Sequence, residues 1–190
     1  MSRIIAGRGR GRRLKSPPGH ATRPTGGRVR QTLFDILAPE IPGCRFLDAF
    51  AGNGGVGLEA LSRGAAKVVL IDESASAIEA VRENARALSA GGGEVDVFRQ
   101  DARTALAALA DRGRRFDIVF LDPPYDSDLY EPLLEGLGAG PLLADEGLVV
   151  AEHFHKRALP ETIGGLERTR TVRVGDHCLS FYRRQGEQGS

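Results

Sequence analysis

Residues 44–57 read CRFLDAFAGNGGVG, and their reading decides the fold. The stretch Cys44–Phe50 predicts a strand, and Val56–Arg63, stopped by Gly64, predicts a helix. Between them Gly52, Gly54 and Gly57 fall on a G-x-G-x-x-G spacing. Glycines at such a junction allow a tight turn and let a ligand approach the backbone. Asp72 stands 20 residues after Gly52, at the end of the next apolar run, where a carboxylate can accept bonds from both hydroxyls of a ribose. Strand, glycine turn, helix and a distant acid together indicate a ligand that contains a nucleoside.

The same alternation continues outward. Residues 28–38 predict a helix with Val29, Leu33, Ile36 and Leu37 on one face, ended by Pro39 and Pro42-Gly43. Further strands are expected at Lys67–Ile71, Val95–Phe98, Phe116–Leu121 and Gly147–Glu152. Helices are expected at Ser74–Ser89, with Ser74 as N-cap and glycines 91–93 as its stop, and at Ala102–Ala110 and Leu129–Leu137. Arg168–Val174 and Cys178–Arg184 alternate around Gly175-Asp176 and predict a terminal antiparallel hairpin. Seven strands interleaved with helices mean an α/β fold with a doubly wound, mostly parallel, Rossmann-like sheet.

Composition narrows the class. Apolar residues make up 41% of the 190 and charged residues 27%, as in ordinary globular domains. No apolar run approaches the roughly 18 residues of a membrane span. The first twenty residues are basic without an apolar core, so no secretory signal is expected, and the expected compartment is the reducing cytoplasm. Cys44 and Cys178 are too few for a disulfide framework or a multi-cysteine metal site. His153 and His155 alternate beside Glu152, but no third ligand spacing accompanies them, so no metal is expected. His20 and His177 read as loop or turn residues.

The net charge of +1 hides an asymmetry. Residues 1–30 hold nine bases and no acid, whereas the other 160 hold 17 bases against 25 acids, a net of −8. A basic arm on an acidic body suggests a polyanionic partner, with nucleic acid the leading candidate. Gly7, Gly9 and Gly11 alternate with Arg8, Arg10 and Arg12, and Ile4, Ile5 and Leu14 punctuate the arm, a pattern of two short strands around a turn. Residues 1–27 are therefore assigned to a basic arm, and residues 28–190 to the main domain. Loss of residues 1–15 is expected to spare cofactor binding and to weaken RNA binding.

Two acids choose the chemistry. Asp48 precedes the glycines, where a pyrophosphate would have to approach, and an anion there repels phosphate while suiting a cation. S-adenosylmethionine carries an ammonium and a sulfonium, so Asp48 favours it over NAD; a role as cap of the loop stays open. The second signal is Asp122-Pro123-Pro124-Tyr125, directly after the apolar strand at 116–121. The prolines fix the backbone and supply no N–H, leaving the Asp122 carboxylate and main-chain carbonyls as acceptors for an amino group. Tyr125 can stack on a flat base.

This pair of motifs resembles the class I S-adenosylmethionine-dependent methyltransferases, and Asp-Pro-Pro-Tyr resembles the catalytic motif of those that methylate exocyclic amines. Arg3-Ile-Ile-Ala-Gly7, Arg12-Arg13-Leu14, Arg23-Pro24-Thr25, Arg28–Phe34, Leu47–Gly52, Gly57–Arg63, Phe120–Tyr125 and the terminal Gly175-Asp176 with Leu179–Tyr182 are similar to the bacterial 16S ribosomal RNA guanine-N2 methyltransferases. The resemblance runs from about residue 3 to 184. It departs at Gly26-Gly27, where a polar pair is expected, at Gln31, where Glu is expected, and at Asp72, where Glu is commoner.

The resemblance implies transfer of a methyl group from S-adenosylmethionine to guanine N2 within the small ribosomal subunit; with no extra helix to suggest an obligate dimer, a monomer is expected. Asp122, Pro123, Pro124 and Tyr125 would be catalytic. Asp48, Phe50, Gly52, Asn53, Gly54 and Gly57 would border the methionine end, Asp72 the ribose, and Asp101 the adenine amine unless it only caps the following helix. Asp122 borders both ligands. Arg8, Arg10, Arg12, Arg13, Arg23, Arg28 and Arg30 would contact RNA phosphates. The same elbow also suits an adenine-N6 or cytosine-N4 methyltransferase; an NAD-dependent oxidoreductase and a non-catalytic RNA-binding module are the more distant readings.

Overall fold

A computed structural model describes residues 2–17, 26–88, 92–124 and 126–186. Its elements in chain order are α1 (Gly27–Leu37), β1 (Arg45–Asp48), α2 (Gly57–Ser62), β2 (Lys67–Asp72), α3 (Ala75–Leu88), β3 (Glu94–Arg99), α4 (Ala102–Asp111) and β4 (Phe116–Leu121). They are followed by α5 (Tyr130–Ala139), β5 (Leu143–Phe154), β6 (Thr162–Ile163), β7 (Leu166–Val174) and β8 (His177–Arg184).

The strands form one sheet in the order β3-β2-β1-β4-β5-β8-β7-β6. The first five in that order are parallel, and β8 enters antiparallel between β5 and β7. The expected count of seven omits β6, two residues that pair with Leu166 and Glu167. Strand β5 starts at Leu143 rather than 147, because Phe116 pairs with Leu143 across a register shift. No helix of the described residues is long and apolar enough to cross a membrane.

Each central strand is buried on both faces, as parallel strands under helices must be. Phe46, Val68, Leu70, Ile118 and Phe120 pack on the side of α1, α2 and α3. Leu47, Val69, Ile71, Val119 and Leu121 alternate to the side of α4 and α5. The α1 start has no side-chain cap, since its N-cap residue is Gly26. Ser74 does cap α3, its Oγ accepting from Ala77 N at 3.3 Å.

The basic arm lies against this framework. Residues Arg3 and Arg13 bridge antiparallel, with Ile4 N donating to Arg12 O and Leu14 N to Ser2 O. Side chains Ile4 and Leu14 are 1% and 5% exposed and enter the core with α1 and α2. Buried Glu59 on α2 accepts from Ile5 N and Ala6 N, and Ser62 Oγ accepts from Gly9 N. Gly7 is required where it stands: a Cβ would fall 1.9 Å from Ser62 O, at φ +76°. The arm thus covers core, and truncation at residue 15 is expected to damage the fold rather than leave cofactor binding untouched.

Candidate active site

The chain winds from β1 through β2 to β3 on one side of the sheet, then crosses to place β4 on the other side of β1. Loops diverge at such a switch point, and ligands of open α/β sheets bind outside the carboxyl ends of the strands there. A cavity of about 950 Å³ opens at this place. Four neighbouring parallel strands present a carboxylate to it: Asp72 ends β2, Asp48 ends β1, Asp122 follows β4, and Glu152 lies near the end of β5.

On the β1–β2–β3 side, the carboxylates are held by the protein's own amides. Asp48 is 1% exposed; its Oδ2 accepts from Gly57 N at 3.0 Å and its Oδ1 from Phe50 N at 3.4 Å. Burial pushes its carboxyl up to about 7, against the pull of those two N–H groups and with a push from Asp122 and Asp72. Asp72 accepts from Gly52 N and Ser74 N. Asp101 caps α4, accepting from Thr104 N at 3.0 Å and Thr104 Oγ1 at 2.8 Å; these bonds hold its carboxyl below the usual range.

The glycine loop therefore has few amides left for a phosphate. Gly52 N is bound to Asp72, Gly54 N to Ala51 O, Gly55 N to Asn53 Oδ1 and Gly57 N to Asp48. A dinucleotide loop needs such donors for its pyrophosphate. Here the protein's own oxygens, two of them on acids, occupy these amides, and the cavity beyond is lined by acids that repel one another. A sulfonium and an ammonium relieve that repulsion, so the residues fit S-adenosylmethionine. Gly52, at φ +54°, lines the cavity with no protein atom within 4 Å of the place a Cβ would take. Phe50, Asn53, Asp72 and Asp101 line it as well.

Gly54 and Gly57 do not line it, which corrects their assignment as cofactor contacts. Their lack of a side chain serves packing: a Cβ on Gly57 would stand 2.4 Å from Leu70 Cδ2, and one on Gly54 2.9 Å from Leu58 Cδ1.

On the β4–β5–β8 side the acids meet side chains and prolines. Asp122, Pro123 and Pro124 line the cavity, with Pro123 buried. Tyr125 lies outside the described residues. Tyr130, at the start of α5, donates to Glu152 O at 2.7 Å, and burial with the nearby Asp122 raises its phenol. Glu152 is 1% exposed, and its Oε1 lies 2.9 Å from His177 Nδ1. His153 is held by Ser180 Oγ at 2.8 Å, and burial lowers its basicity. Among the described residues no group of acids, histidines and cysteines is placed to hold a metal.

Sequence reasoning missed Glu152 and His177 as a pair. His177 was read as a turn residue; the hairpin instead delivers it to the end of β5, where it pairs in register with Phe154.

The predicted phosphate contacts divide. Arg8, Arg10, Arg12, Arg13 and Arg28 are exposed, and Arg23 lies outside the described residues. Arg30 stands apart: it is 3% exposed, lines the cavity, and its guanidinium donates to Ser2 Oγ at 2.9 Å and to Arg3 O at 2.5 Å. It ties the arm to α1 and covers Gly55, whose Cβ would stand 2.8 Å from its Nη1.

A glycine loop that already holds its own anions, at the switch point of a parallel sheet closed by one reversed strand, binds a cationic nucleoside. The protein is a class I S-adenosylmethionine-dependent methyltransferase. The family model described as conserved hypothetical protein 95 matches residues 2–183, and the chain belongs to that family. It is 39% identical over 184 residues to the putative rRNA methyltransferase YlbH of Bacillus subtilis, covering 97% of this chain and 100% of that one. It is 37% identical to the ribosomal RNA small subunit methyltransferase D of Escherichia coli K12, covering 97% and 91%. Among solved structures it resembles a putative methyltransferase from Escherichia coli at a TM-score of 0.81, with 38% identity and 96% and 97% of the chains covered.

Proposed function

We propose that the protein methylates the exocyclic N2 amine of a guanine in 16S ribosomal RNA of the small ribosomal subunit. The observation that carries this reading is Asp122-Pro123-Pro124 at the end of β4, opening on the same cavity as the acid-capped glycine loop. The printed names of the relatives, ribosomal and small-subunit methyltransferases, supply the substrate class.

When bound, the cofactor supplies an electrophilic methyl group. Asp48, Asp72 and the Gly52–Asn53 turn hold it, and Asp101 faces its adenine. The protein's task is to make a poor nucleophile attack. The lone pair of guanine N2 is delocalised into the ring, so the amine must be aimed and its nitrogen allowed to become tetrahedral. The Asp122 carboxylate and the Pro123 carbonyl accept the two amine hydrogens, and Asp122 takes the proton that the nitrogen sheds once it has gained the methyl group and the cofactor's sulfur has left with the electron pair of its methyl bond. Positioning of this kind contributes several kcal/mol, and fixed acceptors beside a developing ammonium add more. Tyr125 stacks on the base, which has to leave its helical stack to enter.

Residues 1–27 serve as an RNA-binding arm, in which Arg8, Arg10, Arg12, Arg13 and Arg23, together with Arg28 on α1, contact phosphates. The protein acts in this reading as a cytoplasmic monomer.

The test uses small subunits from a strain lacking its own guanine-N2 enzyme. Incubation with the protein and radiolabelled S-adenosylmethionine, followed by digestion, should give N2-methylguanosine at one position. Label in N6-methyladenosine alone overturns the guanine reading.

A further inference from the structure

The Asp-Pro-Pro elbow holds an amine without choosing the base that carries it. Guanine N2 and adenine N6 present the same two hydrogens. The ring atom beside the amine differs: guanine has an N1–H donor there, whereas adenine has an N1 lone pair. A site that selects guanine needs an acceptor next to Asp122.

The sheet register supplies one. Leu121 pairs with Ala151, so the next residues, Asp122 and Glu152, stand abreast at the ends of β4 and β5. Neighbouring strands lie about 4.8 Å apart, and residues in register point to the same face. Both residues line the cavity, and the Glu152 side chain is 1% exposed. Glu152 also pairs with Leu179 on β8, which puts His177 two residues along on the same face, with its Nδ1 2.9 Å from Glu152 Oε1. Ser180 and Thr171 behind this pair are bonded to each other, and Ser180 to His153, so the wall is packed. Burying an acid is costly, and at the wall of a cleft a buried acid beside a specific partner marks a functional position.

We propose that Glu152 selects guanine: its carboxylate accepts the N1–H beside the N2 amine, and His177 is a positioning residue that holds the carboxylate at that edge. This rests on the guanine-N2 reading above and deepens it. A base with an N1 lone pair brings two acceptors face to face at the buried Glu152, an unpaired contact that sites built on hydrogen bonds reject strongly.

The test compares small subunits reconstituted with guanine or 2-aminopurine at the labelled position. 2-Aminopurine keeps the amine and carries a lone pair at N1. Wild-type protein should prefer guanine by about 100-fold in kcat/KM. With its Oε1 kept on His177, Glu152→Gln places an amide donor opposite N1, so it should lower kcat/KM on guanine by about 100-fold and raise that on 2-aminopurine by about 10-fold or more.

Equal losses on both substrates, or an unchanged preference, overturn the role of Glu152. Calorimetry with S-adenosylmethionine and a thermal melt check that the variant is folded. His177→Ala should raise KM on guanine subunits more than it lowers kcat, and His177→Gln, which keeps a donor, should recover most of the loss; equal effects of Ala and Gln overturn the positioning role. If wild-type protein labels no guanine N2 at all, the functional reading fails before these variants are compared.

Discussion

Asp48 and Asp122 sit at the ends of adjacent strands, facing one cavity, and the protein treats them differently. Asp48 is sealed at 1% exposure under two backbone N–H groups, and burial raises its carboxyl to about 7. Asp122 is half-buried and is followed by two residues that have no N–H to offer. The contrast extends across the cavity. Asp72 and Asp101, on the side of Asp48, also bind backbone amides, whereas Glu152, on the side of Asp122, meets His177. One half of the site uses acids to shape a loop; the other sets Asp122 before two prolines and Glu152 against His177.

The widest separation between the halves is expected in turnover. Asp122→Ala should lower kcat by about 10³-fold or more, as loss of a group that orients and stabilises a reacting amine does, while calorimetry shows cofactor affinity within a few-fold of wild type. A variant with near-wild-type rate would break the assignment.

The arginines sort along the same line. Replacing exposed Arg10, Arg12 and Arg13 together by Ala should weaken RNA binding by about 10- to 100-fold at roughly 150 mM salt and reduce the salt slope by about 2 to 3. Cofactor affinity should stay within about twofold. Buried Arg30 should behave oppositely. Arg30→Ala strands Ser2 Oγ and Arg3 O, and should cost about 1–3 kcal/mol of stability in a denaturant titration. Unchanged RNA affinity in the triple variant removes the arm from the interface.

These divisions explain what could be read in advance. Runs such as Val68–Ile71 and Ile118–Leu121 announce buried parallel strands, since a strand covered on both faces is apolar along its covered length. The glycine turn and the Asp-Pro-Pro elbow are legible because each is a contiguous string with a local geometric requirement. The pairing of Glu152 with His177 was not legible. It depends on β8 entering beside β5 rather than on any spacing along the chain, and 25 residues separate the two. The burial of Arg30 is hidden for a similar reason: nothing in Arg28-Val-Arg30 tells which arginine turns inward, and α1 settles it by facing residue 30 toward the arm. Gly54 and Gly57 satisfied a ligand motif while their real constraint is the approach of Leu58 and Leu70.

The raised carboxyl of Asp48 gives the cofactor half a pH signature. A cation bound beside it favours the charged form, so binding releases a proton wherever free Asp48 is protonated. With a carboxyl at about 7 in the free protein, affinity for S-adenosylmethionine should tighten about tenfold from pH 6 to pH 8. The calorimetric enthalpy should vary with the ionisation heat of the buffer. Stability should run the other way. The folded state binds this proton more tightly than the unfolded chain, so Asp48 lowers stability as pH rises from about 4 towards 7. Asp48→Asn should flatten both profiles. A pH-independent affinity in the wild type would mean that Asp48 serves the loop alone.

Asp101 marks the place where the two uses of an acid are hardest to separate, and it gives the smallest effect. As the α4 cap, Asp101→Ala should cost about 1 kcal/mol, and Asp101→Ser, which keeps a cap oxygen, much less. The cofactor distinguishes the rest. A carboxylate that also accepts the adenine amine is lost equally in Ser and Ala, so both variants should weaken S-adenosylmethionine binding by about three- to tenfold, roughly the worth of one hydrogen bond. Wild-type affinity in Asp101→Ser would confine Asp101 to the helix, and all three carboxylates of the cofactor half would then be framework except where Asp48 and Asp72 touch the ligand.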